Sequence, residues 1–196
     1  MSATKFHPIV NEVIDGYDKR RWMRTPSLIV VHHTGTGNFI LSKLSALKQK
    51  AYGSAIARYL GLADKAYVSA HLQIDRDGFV HQIVDPRTYV AFHAGKSKWF
   101  DAQSKMVISG CNNFSVGIEL LGDGNKEPYS DQQIDKLVAV IFALCEVIPS
   151  LSTSRITGHQ NIAPDRKVDP GKFFPWPELQ NKLGVKIKLT DWGRTA

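Results

Sequence analysis

The chain has 196 residues, a net charge of +7, 43% hydrophobic and 22% charged residues, which fits one soluble globular domain with a sizeable core. No apolar run reaches the about 18 residues a membrane-spanning helix needs, and the stretch from Met1 to His7 has no apolar segment, so no secretory signal is expected. The lysines are spread along the chain apart from Lys43, Lys48, Lys50 and Lys182, Lys186, Lys188, so the charge alone leaves open nucleic acid, an anionic cell envelope or a plain solvated surface.

Leu28-Ile29-Val30-Val31 is continuous and apolar, as in a strand buried on both faces, and His32-His33-Thr34-Gly35-Thr36-Gly37 ends it. Leu44, Leu47, Ala51, Ala55 and Tyr59 suggest a helix within 41–60, weakened by Gly53. Asp77-Gly78 between Ala70–Ile74 and Phe79–Ile83 predicts a hairpin. From Phe114 to Leu120 the pattern alternates: Phe114, Val116, Ile118 and Leu120 on one face, Ser115, Gly117 and Glu119 on the other.

Ser130-Asp131-Gln132-Gln133 fits a capping box. Ile134, Leu137, Val138, Ile141, Leu144, Cys145 and Ile148 then form a helical apolar stripe that Pro149 stops. After Ile156-Thr157-Gly158-His159 the prolines enforce loops, with a short helix expected from Pro177 to Leu183. The mixed order predicts an α/β fold, a single domain with a central mixed β-sheet flanked by helices. Two cysteines cannot build a disulfide framework: Cys145 reads as a core residue and Cys111 as a loop position, with one bond between them a lesser option.

Seven histidines are present. His32 and His33 end a strand, His159 follows Gly158, and Asp169 comes ten residues later. Two imidazoles and a carboxylate can hold a catalytic metal and leave a fourth position open; isolated polar histidines are the alternative, since no HExxH or CxxC motif is present. Glu119 is either a general base in an apolar strand or an edge carboxylate in water. Lys167 can face the same side as Asp169 and stabilise an oxyanion, or form an ordinary salt bridge with Asp165 or Asp169.

Seven segments, in order, carry a resemblance: Ile29–Thr34, Val68–His71, Asp75–Gly78, Phe92–Ser97, Asn113–Leu120, Thr157–His159 and Ile162–Gly171. Together they resemble the zinc-dependent type-2 N-acetylmuramoyl-L-alanine amidases, nearest the cell-wall-recycling branch and its phage-endolysin relatives, over about Ser27 to Trp176. The resemblance implies a fold like the amidases and peptidoglycan recognition proteins. It implies one zinc ion on His32, His159 and Asp169, with His33 at a variable position that a one-residue register shift would exchange for His32. It further implies Glu119 and Lys167 as catalytic residues and a substrate-binding role for His93, Ala94, Gly95 and Trp99. His71 is expected to be structural or groove-lining. The residue before it is Ala70, where some relatives carry a catalytic tyrosine, so the base role rests on Glu119.

The implied reaction is hydrolysis, by zinc-activated water, of the amide between the muramic or anhydromuramic lactyl group and L-alanine of a peptidoglycan stem peptide. Residues 27–180 are the expected catalytic domain, with 1–26 an N-terminal extension packed on it and 181–196 a C-terminal tail. The rival class is a non-catalytic peptidoglycan-binding module; a nucleic-acid binder is disfavoured because the tryptophans are scattered. The expected state is a monomer with no nucleic-acid partner and no membrane span. It would be cytoplasmic as synthesised, with release to the cell wall if it is a phage lysin. The substrate is either intact peptidoglycan or a soluble muropeptide.

Overall fold

The computed structural model describes residues 5–14, 21–22, 24–35, 68–102 and 104–189. The helix expected within 41–60 lies outside the described residues. The strands are β1 (Glu12–Val13), β2 (Leu28–His33), β3 (Leu72–Ile74), β4 (Val80–Gln82), β5 (Lys98–Asp101), β6 (Met106–Ser109), β7 (Ser115–Leu120) and β8 (Ile156–Gly158). The helices are α1 (Asp131–Val147), α2 (His159–Ile162) and α3 (Trp176–Leu183), with a 3-10 turn at Cys111–Asn113. Six strands form one mixed sheet in the order β1-β4-β3-β7-β2-β8, and β5 and β6 form a separate antiparallel hairpin that the sequence did not signal. Among the described residues, only β3 and β4 pair antiparallel within the large sheet.

Burial on both faces explains the unbroken apolar run of β2. On one side Ile29 and Val31 join Val116, Ile118, Leu120, Leu72 and Ile74 against Ile134, Leu137, Ile141 and Leu144 of α1 and Leu179 and Leu183 of α3. On the other side Leu28 and Val30 pack with Ala94, Trp99, Cys111, Phe114 and Ile162. Phe114 therefore lies across the sheet from Val116 and Ile118. The 3-10 turn ends on it, so the strict alternation begins only at Ser115.

The hairpin turn is as predicted: Gly78 takes φ 80° and donates to the Asp75 carbonyl at 3.0 Å. Its first strand begins two residues late, at Leu72; just before it the His71 N–H donates to the Gly117 carbonyl and the His71 ring accepts the Gly117 N–H. Ser130 caps α1 by accepting from the Gln133 N–H at 3.2 Å. The reciprocal half of the capping box is not made. Gln133 is buried, and its amide donates instead to the Ile74 and Leu121 carbonyls at 3.1 and 3.0 Å, satisfying the ends of β3 and β7.

The segment before residue 27 adds the edge strand β1 to the sheet and sends Phe6 and Val10 into the main core. Past α3, Ile187 joins the same core. Cys111 is buried, Cys145 is half-buried, and both are free thiols. Among the described residues no helix is long and apolar enough to cross a membrane.

Candidate metal centre

Adjacent parallel strands create the site. His32 is near the end of β2, and β8, its neighbour, runs directly into α2, whose first residue is His159. The loop after α2 returns Asp169 to both. His32 Nδ1 lies 2.9 Å from His159 Nδ1 and 3.0 Å from Asp169 Oδ2, and His159 Nδ1 lies 3.0 Å from the same oxygen. All three side chains are buried.

The second nitrogen of each ring is already engaged. His32 Nε2 is 2.9 Å from His93 Nδ1, and His159 Nε2 is 3.2 Å from the Ala94 carbonyl, which can only accept. Burial, with the nearby His159 as a second cause, lowers the His32 pKa to about 4, so this ring is neutral near pH 7. A ring that donates from Nε2 and carries no second N–H turns a bare Nδ1 lone pair toward the carboxylate oxygen. Three converging lone pairs repel unless a cation lies among them. The three donor atoms are close enough together that His32, His159 and Asp169 would hold a single ion between them. The donor set fits a metal ion.

His33 leaves the other face of β2. Its Nδ1 accepts the Gly124 N–H at 2.8 Å, away from the triangle. Strand alternation thus puts His32, and not His33, in the triangle.

Glu119 is not at an edge. β7 lies between β3 and β2, and Glu119 is only 9% exposed, with His32 as its register partner. Its Oε2 is buried without a hydrogen-bond partner. Burial raises its pKa to about 8, the Asp169 charge adds to the rise, and Lys167 opposes it. A base poised near neutrality suits proton transfer. Lys167 is half-buried and is near enough for its charge to act on Glu119 and His32. It makes no ion pair with Asp165 or Asp169, so the ordinary salt bridge is not what the structure contains.

The segment expected to line a groove is divided. His93 is 6% exposed and its ring lies beneath His32. Burial lowers its pKa well below the ordinary value, with His32 and His71 adding to the fall. Ala94 is buried and offers its carbonyl to His159, whereas Gly95 is exposed at φ 54°. Trp99 packs at 6.3 Å from Phe114 and under Arg155, whose guanidinium carbon is 4.4 Å from a ring centroid, so it is a core residue here. His71 is structural: it accepts the Gly117 N–H at 2.9 Å, donates to the Tyr89 carbonyl at 3.1 Å and stacks on Trp22.

A family model described as N-acetylmuramoyl-L-alanine amidase matches residues 22–172. The chain belongs to that family. It is similar to the 1,6-anhydro-N-acetylmuramyl-L-alanine amidase AmpD of Escherichia coli, 38% identical over 84% of this chain and 86% of that one. A crystal structure of a selenomethionine AmpD derivative superposes with a TM-score of 0.66 at 29% identity, covering 95% of this chain and 100% of the other. The E. coli amidase AmiD, solved with the substrate anhydro-N-acetylmuramic acid-L-Ala-D-gamma-Glu-L-Lys, gives a TM-score of 0.58 at 25% identity over 83% of this chain and 58% of that one. The protein is thus an amide hydrolase of the N-acetylmuramoyl-L-alanine class, not a binding module of similar fold.

Three residues of the amidase centre escaped the sequence reading. Arg166 Nη2 donates to the carbonyls of Ala94 and Lys96 at 2.8 and 2.9 Å, joining the loop after His93 to the loop that carries Asp169. Ser115 contacts the His93 ring, and Gly117 leaves room for it. The only available signals were the arginine beside Lys167 and the small residues on the Glu119 face of β7.

Proposed function

We propose that the amidase holds one zinc ion on His32, His159 and Asp169 and releases the stem peptide from soluble 1,6-anhydro-muropeptides. The observation that carries the metal assignment is the buried triangle of two Nδ1 atoms and one carboxylate oxygen, each about 3 Å from the others. Two imidazoles and a carboxylate suit zinc and leave one tetrahedral position free. An ion there supplies Lewis acidity at the scissile carbonyl and lowers the pKa of water toward neutrality.

The chain's own residues do the rest. Glu119, buried with one oxygen unpaired, takes the proton of the attacking water and returns it to the departing alanine nitrogen. Lys167, free of an ion-pair partner among the described residues, offers its charge to the carbonyl oxygen as that oxygen becomes negative. Gly95, exposed beside the buried Ala94, would border the sugar or peptide.

The soluble substrate is supported by six relatives, 33–38% identical, whose names specify the 1,6-anhydro sugar. Such a substrate suits a monomer working in the cytoplasm. A paired assay tests this reading: peptide release from soluble anhydro-muropeptide is expected to exceed release from intact sacculi. Preference for sacculi would overturn the substrate assignment. Wild-type activity in Glu119→Ala or in zinc-stripped protein would overturn the mechanism.

A further inference from the structure

We infer that His93 and Ala94 form the orienting clamp of the metal centre, with His93 fixing which nitrogen His32 presents to the ion. This rests on the zinc assignment above.

The order of protons can be followed from one hydroxyl. Ser115 Oγ donates its only proton to the Cys111 carbonyl at 2.6 Å. Toward His93 Nε2 it then offers lone pairs alone, at 3.2 Å, and so does the Ser115 carbonyl at 3.0 Å. His93 Nε2 must carry the hydrogen. The ring lies beside the imidazoles of His32 and His71, and no carboxylate is bonded to it among the described residues, so no acceptor calls for a second N–H on Nδ1. Its Nδ1 is therefore bare and accepts from His32 Nε2 at 2.9 Å. His32 is left with a bare Nδ1, the atom that faces His159 and Asp169.

The seat of the ring is built for it. A Cβ on Gly117 would lie 2.4 Å from His93 Cγ and 2.6 Å from Nδ1, so a side chain at 117 would displace the ring. Asn112 Oδ1 accepts the N–H groups of His93 and Ala94 at 3.1 and 2.7 Å. The Ala94 carbonyl is left to accept from His159 Nε2 and from Arg166. Two consecutive residues thus hold both imidazole ligands by the nitrogens that do not face the ion. Such partners fix ring orientation and ligand basicity, and losing one costs about 10–100-fold in metal affinity. His93 is a positioning residue; the side chain reaches the reaction only through His32.

Zinc-loaded wild type, His93→Phe and His93→Asn are competed against a chelator, and the His32 ring protons are followed by NMR. Phenylalanine fills the seat without an acceptor; asparagine keeps an oxygen near the Nδ1 position. The phenylalanine variant is expected to lose about 10–100-fold in zinc affinity together with the slowly exchanging His32 Nε2–H signal. Asparagine is expected to recover the signal and most of the affinity. A folded His93→Phe protein that binds zinc as wild type does overturns the clamp. If that variant does not fold, the asparagine variant decides: a retained His32 Nε2–H signal supports the clamp and its loss overturns it. His32→Ala in the same titration separates the two readings, because unchanged zinc affinity there would refute the metal centre itself.

Discussion

Glu119 is the register partner of His32 across the adjacent parallel strands β7 and β2, so a buried carboxyl group and a buried imidazole leave the sheet side by side on one face. That juxtaposition makes the ionisation of Glu119 a property of the whole fold.

The pH dependence of stability follows from it. Glu119 has an ordinary pKa of 4.5, raised to about 8 in the folded metal-free protein chiefly by burial. Between those values the unfolded chain releases a proton that the folded chain keeps, so this group's contribution to stability falls as pH rises from about 4.5 to about 8. Glu119→Gln removes the penalty. Metal-free Glu119→Gln is expected to be more stable than wild type by a few kcal/mol near pH 8, with the gain vanishing near pH 4. Urea denaturation at both pH values checks it, and a difference that does not change with pH would refute it.

Zinc should stabilise the fold. At about a thousandfold excess over its Kd, a ligand bound only by the native state adds about 4 kcal/mol. For a chain of this length that corresponds to roughly 8–16 °C in Tm. Scanning calorimetry of metal-free protein with and without zinc is expected to show the rise, and Asp169→Ala to abolish it. An unchanged Tm in wild type would count against the metal centre.

Lys167→Ala is expected to lower kcat by about 10²–10³, with KM and zinc affinity nearly unchanged, because its charge is needed only as the carbonyl oxygen becomes negative. Lys167→Arg should recover part of the rate. Steady-state kinetics beside a chelator competition decide between this role and a structural one, which would move affinity or stability first.

The loop that carries Asp169 is wedged against Gly124. A Cβ there would lie 2.0 Å from the Pro170 carbonyl oxygen and 2.4 Å from the Tyr129 hydroxyl, which itself donates to that carbonyl at 2.6 Å. Gly124→Ala is expected to cost about 1–3 kcal/mol by overpacking and to weaken zinc binding by shifting Asp169. Denaturant unfolding and zinc competition together test it; a variant normal in both would show that the loop yields freely.

Much of this was legible in local pattern. The apolar run of β2, the alternation of β7 and the stripe of α1 each encode burial directly, because a strand or helix repeats its inward positions at a fixed period. Asp77-Gly78 fixed its turn for an equally local reason. The strand β1 was not legible: two residues carry no period, and the pairing with His81 and Gln82 is supplied by a segment far along the chain. The direction Trp99 faces was not legible either. An aromatic near a groove motif can face outward or inward, and Phe114 with Arg155 decided the matter.

The sequence by itself determined the chemistry on offer: two histidines and an aspartate able to bind a metal, a glutamate in a strand, and a lysine beside the aspartate, in an order that resembles one amidase family. Tertiary structure alone decided what each of them is. It put His32 rather than His33 into the triangle, drew Glu119 from a possible edge into an interior strand, left Lys167 without an ion pair among the described residues, and turned His93 beneath the triangle. Spacing along a chain states which groups exist; protonation, tautomer and burial depend on partners that only the folded sheet brings within hydrogen-bond distance.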